Sequence, residues 1–162
     1  MLDLKNEYKF AADDVDSIAI LGNQRMVTTN NIPAPPDVLL AQYSIPFSVA
    51  LALYRNPIDP DSFDDNVHRD AQFLSMAKRV KMTAVPGRSR EDLAATVSVT
   101  LKNGRTVSRE VTEFMGTPAR PLDRAGLQEK FLLLTKHVQR EKMVRDRKST
   151  RLNSSHMSES RM

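Results

Sequence analysis

The chain has no cysteine and no tryptophan, and only five of its 162 residues are glycine. Without thiols there can be no disulfide, thiolate zinc site, iron–sulfur ligand set or cysteine nucleophile. Absence of cysteine suits a reducing cytoplasm, where structural disulfides are rare, and the protein is expected there. No apolar run approaches the roughly 20 residues that span a bilayer. No opening segment has the basic, apolar, small-residue order of a secretory signal, so no membrane partner is expected. Motifs are equally scarce: HExxH, GxSxG, phosphate-loop and dinucleotide patterns are all missing. His68 and His137 have no partner at zinc-ligand spacing and read as solvated helix positions rather than catalytic bases. The aspartates at 59, 61, 64 and 65 lack the glycine and terminal glutamate of a calcium loop. No metal and no cofactor is expected.

What remains is a chain long enough for one domain with its own core. The formal net charge is +4. Half of that excess comes from the last residues, where Arg147, Lys148, Arg151 and Arg161 face Asp146 and Glu159. The other basic residues form no stripe with interleaved aromatics, so no nucleic-acid partner is expected. The run Asp146 to His156, DRKSTRLNSSH, resembles the conceptual translation of a ligation adaptor used in short-read sequencing. Residues 146–162 are therefore set aside as adaptor read-through, expected to be disordered, and the natural protein is expected to continue differently after about Arg145.

Periodicity places the elements. Leu2 to Asp14 reads as the end of a helix and a polar connection. Val15 to Leu21 reads as a strand, with Gly22-Asn23 as a turn. Thr28 to Asp37 reads as a proline- and asparagine-rich loop. The segment Ala41 to Pro57, AQYSIPFSVALALYRNP, predicts a helix capped by Ser44, with Pro46 tolerated in its first turn. Apolar nearly all round, it must be covered on most sides. Phe63 to Lys78 reads as a second helix and Arg79 to Val85 as a half-buried strand. Leu93 to Val111 reads as a hairpin. Only a three-residue loop, Lys102-Asn103-Gly104, puts Val99 opposite Val107 and Ala95 opposite Val111, with Gly104 left-handed. A last helix follows GTPARP, capped by Asp123 and stapled by Leu122 with Leu127. The fold class is α+β: a small antiparallel sheet with helices on one face.

Several of these blocks, in this order, resemble the C-terminal part of MmgE/PrpD proteins, the family of 2-methylcitrate dehydratase and cis-aconitate decarboxylase. They are AQYSIPFSVALALYRNP, DPDSFDD (59–65), the strand around residues 79–84, VSVTLKNGRTVSREV (97–111) and GTPARPLDRAGLQEKF (116–131). The resemblance implies a small α+β lid domain over residues 1–121 and, over 122–145, a helix returning to a large all-helical domain. It implies cytosolic homodimers that act without cofactor on small polycarboxylates by proton abstraction, with dehydration, decarboxylation or epimerisation as outcome. Most acid–base residues of such enzymes precede the lid, so no catalytic residue is assigned here and no turnover is expected of this chain alone. The resemblance sets Phe47 where decarboxylase-like members present a tyrosine to substrate, favouring a dehydratase-like or isomerase-like parent.

The candidate substrate-binding residues are thus Gln42, Ser44 and Phe47. Gln42, Ser44 and the amides opening the apolar helix could receive a carboxylate, since a helix N-terminus favours anions. The plainer reading, in which Ser44 only caps the helix and Gln42 satisfies nearby backbone, stands beside it. The alternative to an enzyme part is a stand-alone, non-catalytic α+β interaction or dimerisation module.

Overall fold

The computed structural model describes residues 1–137, which divide at Leu122/Asp123 into two units. The first unit contains α1 (Leu2–Tyr8), β1 (Val15–Gly22), α2 (Gln24–Thr29), α3 (Val38–Tyr43), α4 (Ile45–Tyr54), α5 (Ala71–Ala77), β2 (Val80–Ala84), β3 (Ala95–Leu101) and β4 (Thr106–Val111). In the second unit, α6 (Arg124–Leu134) starts at Asp123, whose carboxylate accepts from the Gly126 amide at 2.7 Å. Residues 138–145 of the expected helix and the run 146–162 lie outside the described residues. Among the described residues no helix is long and apolar enough to cross a membrane.

The α+β class holds, with a four-stranded sheet in the order β2-β1-β3-β4. The sheet is mixed rather than wholly antiparallel, because β1 pairs with β2 in parallel. A parallel pair needs a crossover connection, and α2 to α5 supply it. The hairpin has the register that its hydrophobic pattern demands: Val99 faces Val107 and Ala95 faces Val111. Its loop closes with Gly104 at φ 84° and its amide donating to the Leu101 carbonyl at 2.9 Å.

One face of the sheet is the core face. Ile18 of β1 lies beside Val80 of β2 and Val99 of β3, which in turn faces Val107. All four are buried, and Ala50, Leu53, Met76 and Ala77 from α4 and α5 join the same cluster. The next row along, Ala19, Lys81 and Ser108, is exposed. Val15 is out of phase with Ile18 and Ile20, yet all three are buried. A register shift between Val15 and Ser17 reconciles them, a bulge that adds one residue to β1. A second cluster lies beneath α3, α4 and α5, with Ala41, Phe47, Leu51, Val67 and Phe73 at its centre. The central helix α4 therefore divides its apolar surface between two cores.

Two expected elements need correction. The helix expected from Phe63 to Lys78 is confined to α5, preceded by a 3₁₀ turn at Val67–Arg69. The break is at Asp70, extended at ψ 117°, whose carboxylate accepts from the Gln72 amide at 2.8 Å and opens α5 afresh. The polar stretch before α4 holds two further short helices, α2 and α3, each begun by a side-chain cap: Asn23 on Met26 N and Asp37 on Leu40 N.

Candidate functional site

The corner between α3 and α4 is built from one buried hydroxyl. Ser44 ends α3 and caps α4. Its Oγ donates to the Ile32 carbonyl at 2.6 Å and accepts from the Phe47 amide at 3.0 Å. Asn30 closes the same corner from the preceding loop: its carbonyl accepts from Ile45 N at 2.9 Å and its side-chain amide donates to the Tyr43 carbonyl at 2.9 Å. Proline at position 46 has no N–H, and Ser48 N bonds to Ser44 O at 3.0 Å.

The first turn of α4 therefore has no free amide to offer. Ile45, Phe47 and Ser48 donate within the protein and Pro46 cannot donate. Ser44, 1 % exposed, caps α4 and ties its start to the Ile32 carbonyl. Phe47 is fully buried and stands edge-on to Phe73, ring centroids 6.0 Å apart at 80°. It forms the packed back of α4 and presents no surface.

In front of this corner lies a groove of about 490 Å³. Gln42, Tyr43, Ser44, Ile45, Ser48 and Val49 form one wall, Asp3 and the first residues of α1 another, and Val111, Glu113, Phe114, Met115 and Arg120 the third. Gln42 and Ser44 thus share one groove, whereas Phe47 lies behind it. Arg120 is the sole basic side chain in its lining, and it forms no ion pair among the described residues. It is carried by a tight turn: Gly116, at φ 94°, donates to the Arg120 carbonyl at 2.8 Å, and Arg120 N donates to the Thr117 carbonyl at 3.1 Å. Sequence reading missed Arg120, Glu113 and Asp3, since nothing in their spacing links them to residues 42–45. The only available signal was the turn chemistry of GTPARP.

Neither described histidine lines the groove. His68 Nε2 accepts from Arg69 Nε at 3.1 Å, and its Nδ1 is buried without a partner. Asp64 binds Arg55 at 2.9 Å, and this hydrogen bond, with one from the Asn66 amide, holds its carboxyl below the ordinary range. Among the described residues no group of three or more His, Cys, Asp or Glu is arranged to hold a metal. The lining combines the guanidinium of Arg120, the flexible amide of Gln42, the carboxylates of Asp3 and Glu113, and apolar side chains.

No match was found among curated proteins. The family model of the MmgE/PrpD C-terminal domain matches residues 1–155, nearly the whole chain, and takes in most of the terminal run set aside above. Its reach covers the crossover, the hairpin, the groove and the whole of α6. The chain belongs to the MmgE/PrpD family and carries its C-terminal domain.

Proposed function

We propose that this chain is the substrate-covering part of an MmgE/PrpD lyase or isomerase, 2-methylcitrate dehydratase-like, acting on small polycarboxylates by proton abstraction beside a carboxylate. In this reading the parent protein is a cytoplasmic homodimer, and a helical domain preceding the lid supplies the acid–base residues. The chain by itself binds and shields but does not turn substrate over. The observation that carries the reading is Arg120, a guanidinium without an ion pair among the described residues, in the groove that Gln42 also lines. A guanidinium meets a carboxylate through two parallel N–H donors, and the apolar side chains of the lining strengthen that contact by displacing water. Gln42 adds a second polar contact, Ser44 fixes the corner, and Phe47 shapes it from behind without supplying a hydroxyl.

The test joins the chain to the coding sequence found upstream at its source locus. The joined protein should dehydrate or isomerise 2-methylcitrate or a related polycarboxylate, and Arg120→Ala should raise its KM by about tenfold, the loss of one charge-assisted contact. Turnover by the 162-residue chain alone, or a joined protein inert toward every polycarboxylate tried, would overturn the reading.

A further inference from the structure

A second recess, sharing no residue with the groove, opens between α2 and the connection from β2 to β3. It measures about 320 Å³ and is lined by Gln24, Arg25, Thr28, Thr29, Arg88 and Arg90. Three of six lining residues are arginines and none is acidic or aromatic.

The two walls are fastened together by a buried polar side chain. Asn23, 0 % exposed, caps α2 by accepting from Met26 N at 2.8 Å. Its side-chain amide donates to the carbonyls of Arg90 at 3.0 Å and Asp92 at 2.8 Å. Arg88 is held in turn: Nη1 donates to the Ala94 carbonyl at 2.8 Å and Nε lies 3.5 Å from Asp92. A guanidinium carries five N–H donors, so others remain for a ligand. Arg25 and Arg90 form no ion pair among the described residues. The nearby Glu91 is bonded to the Ser89 hydroxyl; this bond first, and the charge of Arg25 as a lesser cause, keep its carboxyl below the ordinary range. Thr28 is turned back onto the carbonyls of Gln24 and Arg25 and offers no donor, which leaves the recess to the guanidinium groups, Gln24 and Thr29.

We propose that this recess binds a small, multiply charged oxyanion, the chemistry shared by a phosphate group and a di- or tricarboxylate. Three guanidinium groups lining one open recess favour an anion between them, and planar guanidinium forks match the oxygens of both anions. The absence of an aromatic wall argues against a nucleotide base or a stretch of nucleic acid. This proposal goes beyond the lyase reading and does not rest on it.

Titration calorimetry of the full chain with sodium phosphate and with trisodium citrate, at constant ionic strength in sodium chloride, tests it. In an Arg120→Ala background, which removes the guanidinium of the first groove, saturable binding at one site is expected, weakened about tenfold (~1.4 kcal/mol) when Arg25→Ala and Arg90→Ala are added and unchanged when Lys78→Ala is added. All the replaced arginines are exposed, so circular dichroism should show an unaltered fold. In the unmodified chain, the amide resonances of Thr29 and Arg90 should shift as the anion is added. Binding of phosphate alone identifies a phosphate group as the ligand, and of citrate alone a carboxylate. Absence of saturable binding to either, a loss within twofold on adding Arg25→Ala and Arg90→Ala, equal weakening by Lys78→Ala, or shifts confined elsewhere would each overturn the proposal.

Discussion

At the scale of single residues, the hydroxyl of Ser44 holds two partners on either side of a chain reversal. Ser44→Ala removes a cap and leaves the Ile32 carbonyl without its donor, so a loss of about 1–2 kcal/mol is expected in urea unfolding. Ser44→Asp separates the two roles. A carboxylate still accepts from Phe47 N but cannot donate to Ile32 O, and would face that carbonyl with like polarity. The aspartate variant should therefore be less stable than the alanine variant; the reverse order would show that only the cap matters. Asp64 makes a pH prediction. Its folded pKa lies below its ordinary value, chiefly through the Arg55 hydrogen bond. The contribution is thus present above the ordinary aspartate pKa and lost as pH falls through the depressed value. Asp64→Asn should flatten the acid side of the stability profile and leave the neutral region little changed, because the pair is exposed and screened by solvent.

Among elements, α4 contributes to both hydrophobic clusters and the β3–β4 hairpin fixes the register at one edge of the sheet. Phe47→Ala in α4 should cost about 3–5 kcal/mol, since the ring is fully buried against Phe73. Gly104→Ala tests the hairpin differently. An added Cβ would meet no atom within 4 Å, while the backbone sits at φ 84°. Its cost, about 1 kcal/mol, should arise from backbone conformation alone, and Gly104→Asn should recover part of it because asparagine tolerates the left-handed region. These two elements were also the most legible in the sequence: a long apolar run with a capping serine, and an alternation that only one loop length satisfies. The helices α2 and α3 were hidden because six residues are too few to establish a helical period. The break at Asp70 was hidden because apolar spacing through Val67, Ala71 and Leu74 continues across it, while the backbone follows the cap. At the groove, Gln42 and Ser44 were found through the helix they precede. Arg120 was not, because only folding brings residue 120 to residue 42.

For the whole first unit, the mixed sheet raises a question of timing. Its edge hairpin closes through three loop residues, so β3 and β4 can pair early, on the microsecond scale of isolated hairpins. The central strand β1 has no such neighbour in sequence. One partner, β2, returns only after the entire crossover of residues 23–79, and the other, β3, lies further on still. Both edges of β1 must wait for long loops to close, and their entropy opposes pairing until the apolar faces meet. During that interval Ile18 and Ile20 are presented to water on a strand with two unsatisfied edges, a template for pairing with another chain. Yield on refolding should therefore fall steeply with protein concentration, and a charge placed at the exposed Ala19 should relieve this without altering the folded core. In this molecule the strand at the centre of the finished sheet is the last to be sheltered.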